Sequence, residues 1–508
     1  MEQRSTNKQI ANNTIMLYIR MAVIMIVQLY TSRIILDALG ISDYGLYNVV
    51  GGIVVMFGFI NTTLSASTQR YITFELGGGD LEKLKSVFRS SIQLHIIIAI
   101  LIAVVCEPVG LWLIFNKLQI PEGQLITTIW VFQISIATFV MSVLTVPYNA
   151  TIIAHERMSI YAYISVIDVL LKLASVYVLL LVNNNRLIIY SLMSLFISSG
   201  IRSFYMMYSK KHFEESHYTH IVDKGQLKEM LNFSGWNLVA HIASVLNTQG
   251  LNILLNIFFG PTVNAARGIA VQVQVALNQF CTNFLVAVNP ELTKSYAAGE
   301  YEKSISLMHR ASKFGFYLLL MVTLPFFWEA DAILEIWLKQ VPQDTAIFIK
   351  ILLLCLLIWA FTNPMTTVAY ATGHIKRLNT VCGVIVVIAL PISWLVLKQG
   401  SPAYSVFLVV LILEIISLIA RMIIVRSVIH FSVTNFIKDV FVRSFVVALS
   451  SSILPCFLHY YLNQSIYHSI IVCVSAVLSV IISSFYLGMN SVERAFIINM
   501  VKSRISKQ

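Results

Sequence analysis

The chain is a succession of long apolar segments joined by short polar turns, and this constrains its fold more than any other feature. Fourteen segments can be drawn: 11–36, 44–66, 90–115, 125–150, 158–182, 186–208, 233–258, 264–288, 313–337, 345–370, 378–398, 403–428, 440–462 and 466–488. A helix needs about 20 apolar residues to cross roughly 30 Å of hydrocarbon, and most of these segments reach that length. Runs this long lack the alternation and frequent turns of a membrane barrel. The expectation is an all-α polytopic membrane protein with about 14 transmembrane helices. Composition agrees: apolar residues make up 57% and Asp, Glu, Lys and Arg only 12%, against roughly half and about a quarter in soluble proteins. A chain of this size cannot cover itself with so little charge. That excludes a soluble enzyme, a disordered chain and a nucleic-acid-binding domain. The first apolar run, from Ile10 to Leu36, is too long for a signal-peptide core and reads as an uncleaved first span. The six cysteines are scattered, mostly within apolar runs and with no CxxC pair, so they read as small buried hydrophobes.

Loop charge tests the count. With the N-terminus inside and spans alternating, the outer loops hold only Lys117, Arg186, Lys339 and Lys398. The inner segments and their flanks hold twenty-five Lys and Arg residues. Cytoplasmic loops collect such residues, so the formal charge of +11 reports topology, not a nucleic-acid partner. Both termini are expected in the cytoplasm.

An internal repeat divides the chain. A shift of 220 residues brings Asn12 onto Asn232, Gly40 onto Gly260, Thr73 onto Thr293 and Gly79 onto Gly299. The same shift brings Asp80 onto Glu300, Glu82-Lys83 onto Glu302-Lys303, and Ser86 onto Ser306. Small slips then align Gln119-Ile120-Pro121 with Gln340-Val341-Pro342, and Thr145 and Pro147 with Thr362 and Pro364. Six spans separate the copies. That even number makes them parallel repeats, related by an axis along the membrane normal. The expected organisation is an N-lobe over 1–208, a cytoplasmic linker over 209–232 and a C-lobe over 233–428. Spans thirteen and fourteen with a cytoplasmic tail follow over 429–508. Two parallel six-helix lobes around a central cavity suit alternating access. The prolines at 147 and 364 are either tolerated kinks or bending points.

Charge inside the bilayer is costly, about 2.5–3.5 kcal/mol at mid-span on insertion scales, and so it is informative. Arg20 lies about ten residues into span one and Arg267 early in span eight, with no acid in the same helix to neutralise either. Asp37 and Glu414 are candidate partners through space. Lys172 sits centrally in span five, four residues after Asp168, a spacing that puts both on one helix face where they can pair. Arg33 and Arg202 are read as near enough to span ends to reach water. Amides are dense in span seven (Asn237, Asn247, Gln249, Asn252, Asn256) and span eight (Asn264, Gln272, Gln274, Asn278, Gln279, Asn283). Such helices either bond their neighbours or line water. The candidate cavity set is Arg20, Arg267, Lys172, Asn247, Gln249, Asn252, Gln272, Asn278 and Gln279. It suits an anionic, hydroxyl-rich solute, because guanidinium forks match phosphate oxygens and amides match sugar hydroxyls. No catalytic spacing of His, Asp and Glu is visible, no metal-ligand cluster is expected, and no cofactor is called for. His95, His241 and His430 are isolated and read as structural or interfacial.

The N-terminal span with Arg20, the Leu36-x-x-Leu39-Gly40 and Asp43-Tyr44-Gly45 segments, Thr68-Gln69-Arg70, and the loop 79–91 with its copy at 299–311 carry a family resemblance. The chain resembles the multidrug/oligosaccharidyl-lipid/polysaccharide (MOP) exporter superfamily, and within it the polysaccharide-transport and Wzx-type O-antigen flippases. The resemblance implies a non-enzymatic flippase of the bacterial inner membrane. Such proteins move undecaprenyl-pyrophosphate-linked oligosaccharide (O-antigen, capsule or exopolysaccharide units) to the outer leaflet, with a glycan polymerase as a partner. Similar lipid II flippases place arginines of spans one and eight in the cavity, matching Arg20 and Arg267, and share fourteen spans. A lipid II flippase is therefore an alternative. A cation-coupled multidrug exporter is another, with Asp168 and Glu414 as the acids for ion coupling.

Overall fold

The computed structural model describes residues 2–58 and most of 65–217 and 247–495. Residue 1, residues 59–64, most of 218–246, residues 496–508 and the side chains up to residue 22 lie outside this description. Among the described residues the chain is helical, with no strand. In hydrocarbon every backbone N–H and C=O needs an internal partner, and a helix supplies these within one segment.

Eleven of the described helices are long and apolar enough to cross a membrane. One of them, Val23–Val55, takes in parts of the first two expected spans, which meet at a kink where Gly40 leaves the helical region (φ 80°, ψ 168°). Spans seven and eight are the helix over 247–259 and the helix Pro261–Ala297, both rich in amides. Each of the fourteen expected segments thus has a helical counterpart, at least in part. Large apolar side chains stand exposed along these helices, Ile412, Ile419 and Ile423 on span twelve and Phe445, Leu449 and Ile453 on span thirteen among them. Contiguous apolar surface on this scale is stable only against lipid or another apolar partner. The chain is a multi-pass membrane protein.

The repeat is visible in backbone geometry. Gly40 and Gly260 share a left-handed φ of 80° and 78°, and Gly79 and Gly299 share 72° and 79°. Glycine is the residue that adopts this region without steric cost. After the second pair the two copies start a helix alike. Asp80 and Glu300 each accept at the backbone carbonyl from the residue four further on, at 3.0 Å, and each pairs through its carboxylate with the lysine three further on. The Asp80 carboxylate also accepts from the Lys83 backbone N–H at 3.2 Å, an N-cap that holds its pKa below the usual carboxylate range. Pro147 and Pro364 both lie inside helices, in spans four and ten.

By packing, the chain forms two compact units: residues 1–268 with 338–343, and residues 269–337 with 344–508. In the first, span two (Val49, Val50, Ile53), span three (Leu94, Ile102) and span four (Val131, Phe132, Val143) share a buried core that also takes in Ile253 of span seven. A second cluster joins Phe88 of span three, Tyr148 and Ile152 of span four and Tyr205 of span six. In the second unit Phe348 of span ten packs on Phe407 of span twelve at 4.5 Å between ring centroids. Phe316 of span nine stacks on Phe361 of span ten at 4.9 Å, and Phe361 on Phe441 at 4.5 Å.

Spans thirteen and fourteen, which fall outside the repeat, dock on span nine. Near one end the Lys313 ammonium bonds both oxygens of Glu493, at 2.8 and 2.6 Å, with both side chains buried. At the other end Glu329 accepts from Ser469 Oγ at 2.7 Å and meets His459 Nδ1 at 2.7 Å.

Gly45 shows why one residue type stands in the Asp43-Tyr44-Gly45 segment. A Cβ there would run into the backbone carbonyl of Pro261, the first residue of span eight. Backbone cannot rotate away as a side chain can. Gly45→Val is expected to destabilise the purified protein by about 1–3 kcal/mol or more. Gly51→Ala, whose Cβ meets nothing within 4 Å, is expected to be neutral or slightly stabilising, by up to about 1 kcal/mol. Thermal unfolding in detergent compares the two.

Candidate functional site

The described site residues divide between the two units, and each is placed within its own. Spans seven and eight form a hairpin whose turn is set by Gly260, with its N–H bonded to the Asn256 carbonyl at 2.8 Å. Across this hairpin the amides lock together. Asn264 Nδ2 donates to the Asn252 carbonyl at 2.7 Å and to Asn252 Oδ1 at 2.8 Å. Asn252 Nδ2 donates to the Asn48 carbonyl of span two at 3.2 Å, and Asn48 Nδ2 to the Tyr44 carbonyl at 2.8 Å. Asn256 Oδ1 accepts from the Gln119 N–H at 2.8 Å. Asn252, Asn256 and Asn264 are buried, so part of the amide stripe joins helices.

Arg267 lies six residues into span eight, about 9 Å along its axis. It is 8% exposed. One terminal nitrogen donates to the Thr248 carbonyl of span seven at 2.6 Å. A guanidinium has five N–H donors and no acceptor, and among the described residues Arg267 has no ion-pair partner. Asp37, one of the acids considered for it, pairs instead with Lys339 at 2.6 Å. Asn247 Oδ1 is buried without a partner among the described residues. Gln249 is half-buried and stands beside Gly52 of span two.

Lys172 and Asp168 pair at 2.8 Å, one turn apart on span five. The side chain of Arg20 lies outside the described residues, as do Asn237, His241, His430 and the side chain of Asn283. In the second unit Gln272, Asn278 and Gln279 of span eight are half-buried, and Asn278 Oδ1 has no partner among the described residues. Gln274 Nε2 reaches the Leu352 carbonyl at 3.5 Å. Glu414 of span twelve is half-buried. Arg421, seven residues on, donates to Thr366 Oγ1 at 2.5 Å and to Ser417 Oγ at 3.4 Å.

Two features escape sequence reasoning. Arg202, read as reaching water from a span end, has its Nε buried without a partner among the described residues, and its Nη1 stands 4.0 Å from Met141 Sδ. It lies ten residues before the end of Arg186–His212, about 15 Å inside by helical rise. The helix runs four residues beyond the apolar segment that ends at 208, which sets Arg202 deeper than the apolar run alone implies. Glu329, His459 and His468 come together from segments 130 residues apart, and no spacing rule links them.

Comparison with known proteins bears on the fold. No family model and no curated protein matches the chain. Solved structures do. A lipid II flippase MurJ in its inward closed conformation superposes with a TM-score of 0.75 at 11% identity, over 93% of this chain and 98% of that one. An inward-facing multidrug resistance MATE family transporter of the MOP superfamily gives 0.63 at 14% identity, over 81% and 99%. A MOP superfamily transporter from Pyrococcus furiosus gives 0.58 at 15%, over 84% and 96%. The chain has the fold of MOP superfamily transporters, and these neighbours are transporters, not enzymes.

The two kinds of amide respond differently to substitution. Asn264→Leu removes both bonds to Asn252 and leaves buried acceptors unpaired, so a loss of about 1–3 kcal/mol in stability is expected. Gln249→Leu is expected to stay within about 0.5 kcal/mol. Unfolding of the purified variants in detergent measures both.

Proposed function

We propose that the protein is a flippase for polyprenyl-pyrophosphate-linked oligosaccharide, working by alternating access in a bacterial inner membrane with both termini cytoplasmic. The observation that carries this reading is Arg267: a buried guanidinium within a span, held by one backbone carbonyl and without a carboxylate beside it among the described residues. A cation in such surroundings needs an anionic partner to offset its lost hydration. A pyrophosphate supplies one each time a substrate head passes. Arg202, also without an ion-pair partner among the described residues, adds a second cation of this kind. The half-buried amides Gln249, Gln272 and Gln279 suit sugar hydroxyls, and Arg20 and Lys172 complete the proposed set. The sugar head cannot cross hydrocarbon unaided, since its polar groups would lose their hydrogen bonds. The polyprenyl chain can stay in the bilayer.

A lipid II flippase is the second reading, favoured by the 0.75 TM-score of the MurJ superposition over 93% of the chain. It requires the same cations and differs in the sugar. A cation-coupled multidrug exporter would need an available acid deep in a span. Asp168 is engaged with Lys172, which leaves Glu414.

A deletion strain is expected to accumulate lipid-linked repeat units and to lose surface glycan. Restored growth on depletion of an endogenous lipid II flippase would instead assign lipid II, and drug hypersensitivity alone would assign the exporter. Arg267→Ala and Arg20→Ala, at matched membrane levels, are each expected to lower surface glycan by about tenfold or more, with Arg267→Lys recovering part of it. Normal glycan in both alanine variants would refute the reading.

A further inference from the structure

At the end of span nine the helix is interrupted at Glu329 (φ −117°, ψ 28°), and the carboxylate turns towards spans thirteen and fourteen. Ser469 Oγ donates to Oε2 at 2.7 Å, which leaves Oε1 to the imidazoles. His459 Nδ1 stands 2.7 Å from Oε1 and His468 Nε2 4.0 Å from it. His468 is 4% exposed, yet its Nε2 has no hydrogen-bond partner among the described residues. The two imidazole centroids are 5.7 Å apart, and one donor atom from each of the three residues lies within 4.8 Å of the others. The cluster opens on a cavity of about 670 Å³ that also carries Asp331 and Glu335 and, among the described residues, no Lys or Arg.

We propose that Glu329, His459 and His468 form a binding site for a divalent transition metal, with zinc as the favoured ion. Two imidazoles and one carboxylate are the donors of an open zinc site. Calcium and magnesium require oxygen ligands instead. Tetrahedral bonds of about 2.1 Å call for donors about 3.4 Å apart. The donor atoms, 2.7 and 4.0 Å from the carboxylate oxygen and all within 4.8 Å of one another, come to that spacing by side-chain movements of about 1–1.5 Å. The otherwise unpartnered His468 Nε2 gains a bond, and Ser469 fixes the carboxylate from behind, as groups behind metal ligands commonly do. Three carboxylates and no fixed cation make the cavity attractive to a divalent ion, and its mouth leaves one coordination position open to water. The ion would fasten span nine to spans thirteen and fourteen at the end opposite the Lys313–Glu493 pair. On the proposed orientation this end faces outwards, where the ion can enter. The site does not depend on the transport reading.

Zinc chloride is the probe. It is titrated into the full-length protein in detergent at neutral pH after chelator treatment, with retained zinc counted by elemental analysis after gel filtration. One zinc per chain and a zinc-dependent rise in melting temperature are expected. His459→Ala and Glu329→Gln should weaken binding more than about 100-fold, and Ser469→Ala about 10-fold, the scale of a lost supporting bond. Calcium should give no rise. Three results would overturn the site: no stoichiometric zinc on the wild-type chain, equal retention by a His459→Gln, His468→Gln double variant that remains monodisperse, or an equal response to calcium. The wild-type titration alone decides against the proposal if it is negative, whatever the variants do.

Discussion

An ionised group surrounded by apolar side chains must be given a partner or lose several kcal/mol, and that requirement orders this protein. Lys313 and Glu493 are both nearly sealed from solvent and bond to each other twice. Neither side chain could stay charged there alone. Glu329 at the far end of the same helix is met by Ser469 and His459, and Asp168 by Lys172 one turn away. Each of these three acids is answered by a group on a neighbouring or the same helix, so electrostatic satisfaction doubles as a means of registering helices that otherwise present interchangeable leucines and isoleucines. Against that background Arg267, held by a backbone carbonyl and by no acid among the described residues, stands apart together with Arg202, and the functional reading starts from it.

The amides tell a divided story. In lipid, van der Waals packing and hydrogen bonds between helices take over from the hydrophobic effect as the force that joins them. Asn252 and Asn264 serve that end, bridging the hairpin of spans seven and eight to span two. Gln249, three residues before Asn252 on the same stretch, stays half-buried beside Gly52. Neighbouring positions on one helix therefore contribute to different things, one to holding the bundle and one to the polar surface available to a solute.

What could be read from the sequence follows the range of each interaction. Spans are local, because twenty apolar residues in a row are visible without any neighbour, and among the described residues each of the fourteen segments has a helical counterpart, at least in part. The repeat was visible because glycine is needed where φ is positive, and the Gly40/Gly260 and Gly79/Gly299 pairs share that geometry. The Asp168–Lys172 pair was legible from a spacing of four. Contacts between distant segments were not. Nothing in the periodicity sets Lys339 beside Asp37, or brings His459 and His468 to Glu329. The amide stripe was visible as composition, but which amides face a partner helix depends on rotations of a few tens of degrees that no count of residues encodes.

The Lys313–Glu493 bond has a practical side. Glu493 lies close to the carboxyl-terminal end of the described chain, on a short turn where Asn490 N–H also donates to its carboxylate. Trimming the protein to a compact core for crystallisation, or splicing a reporter in place of its last turn, would strand the buried Lys313 ammonium near one end of span nine. The turn that carries Glu493 thus acts as a latch that keeps the docked pair of helices seated, and any engineered boundary belongs downstream of it.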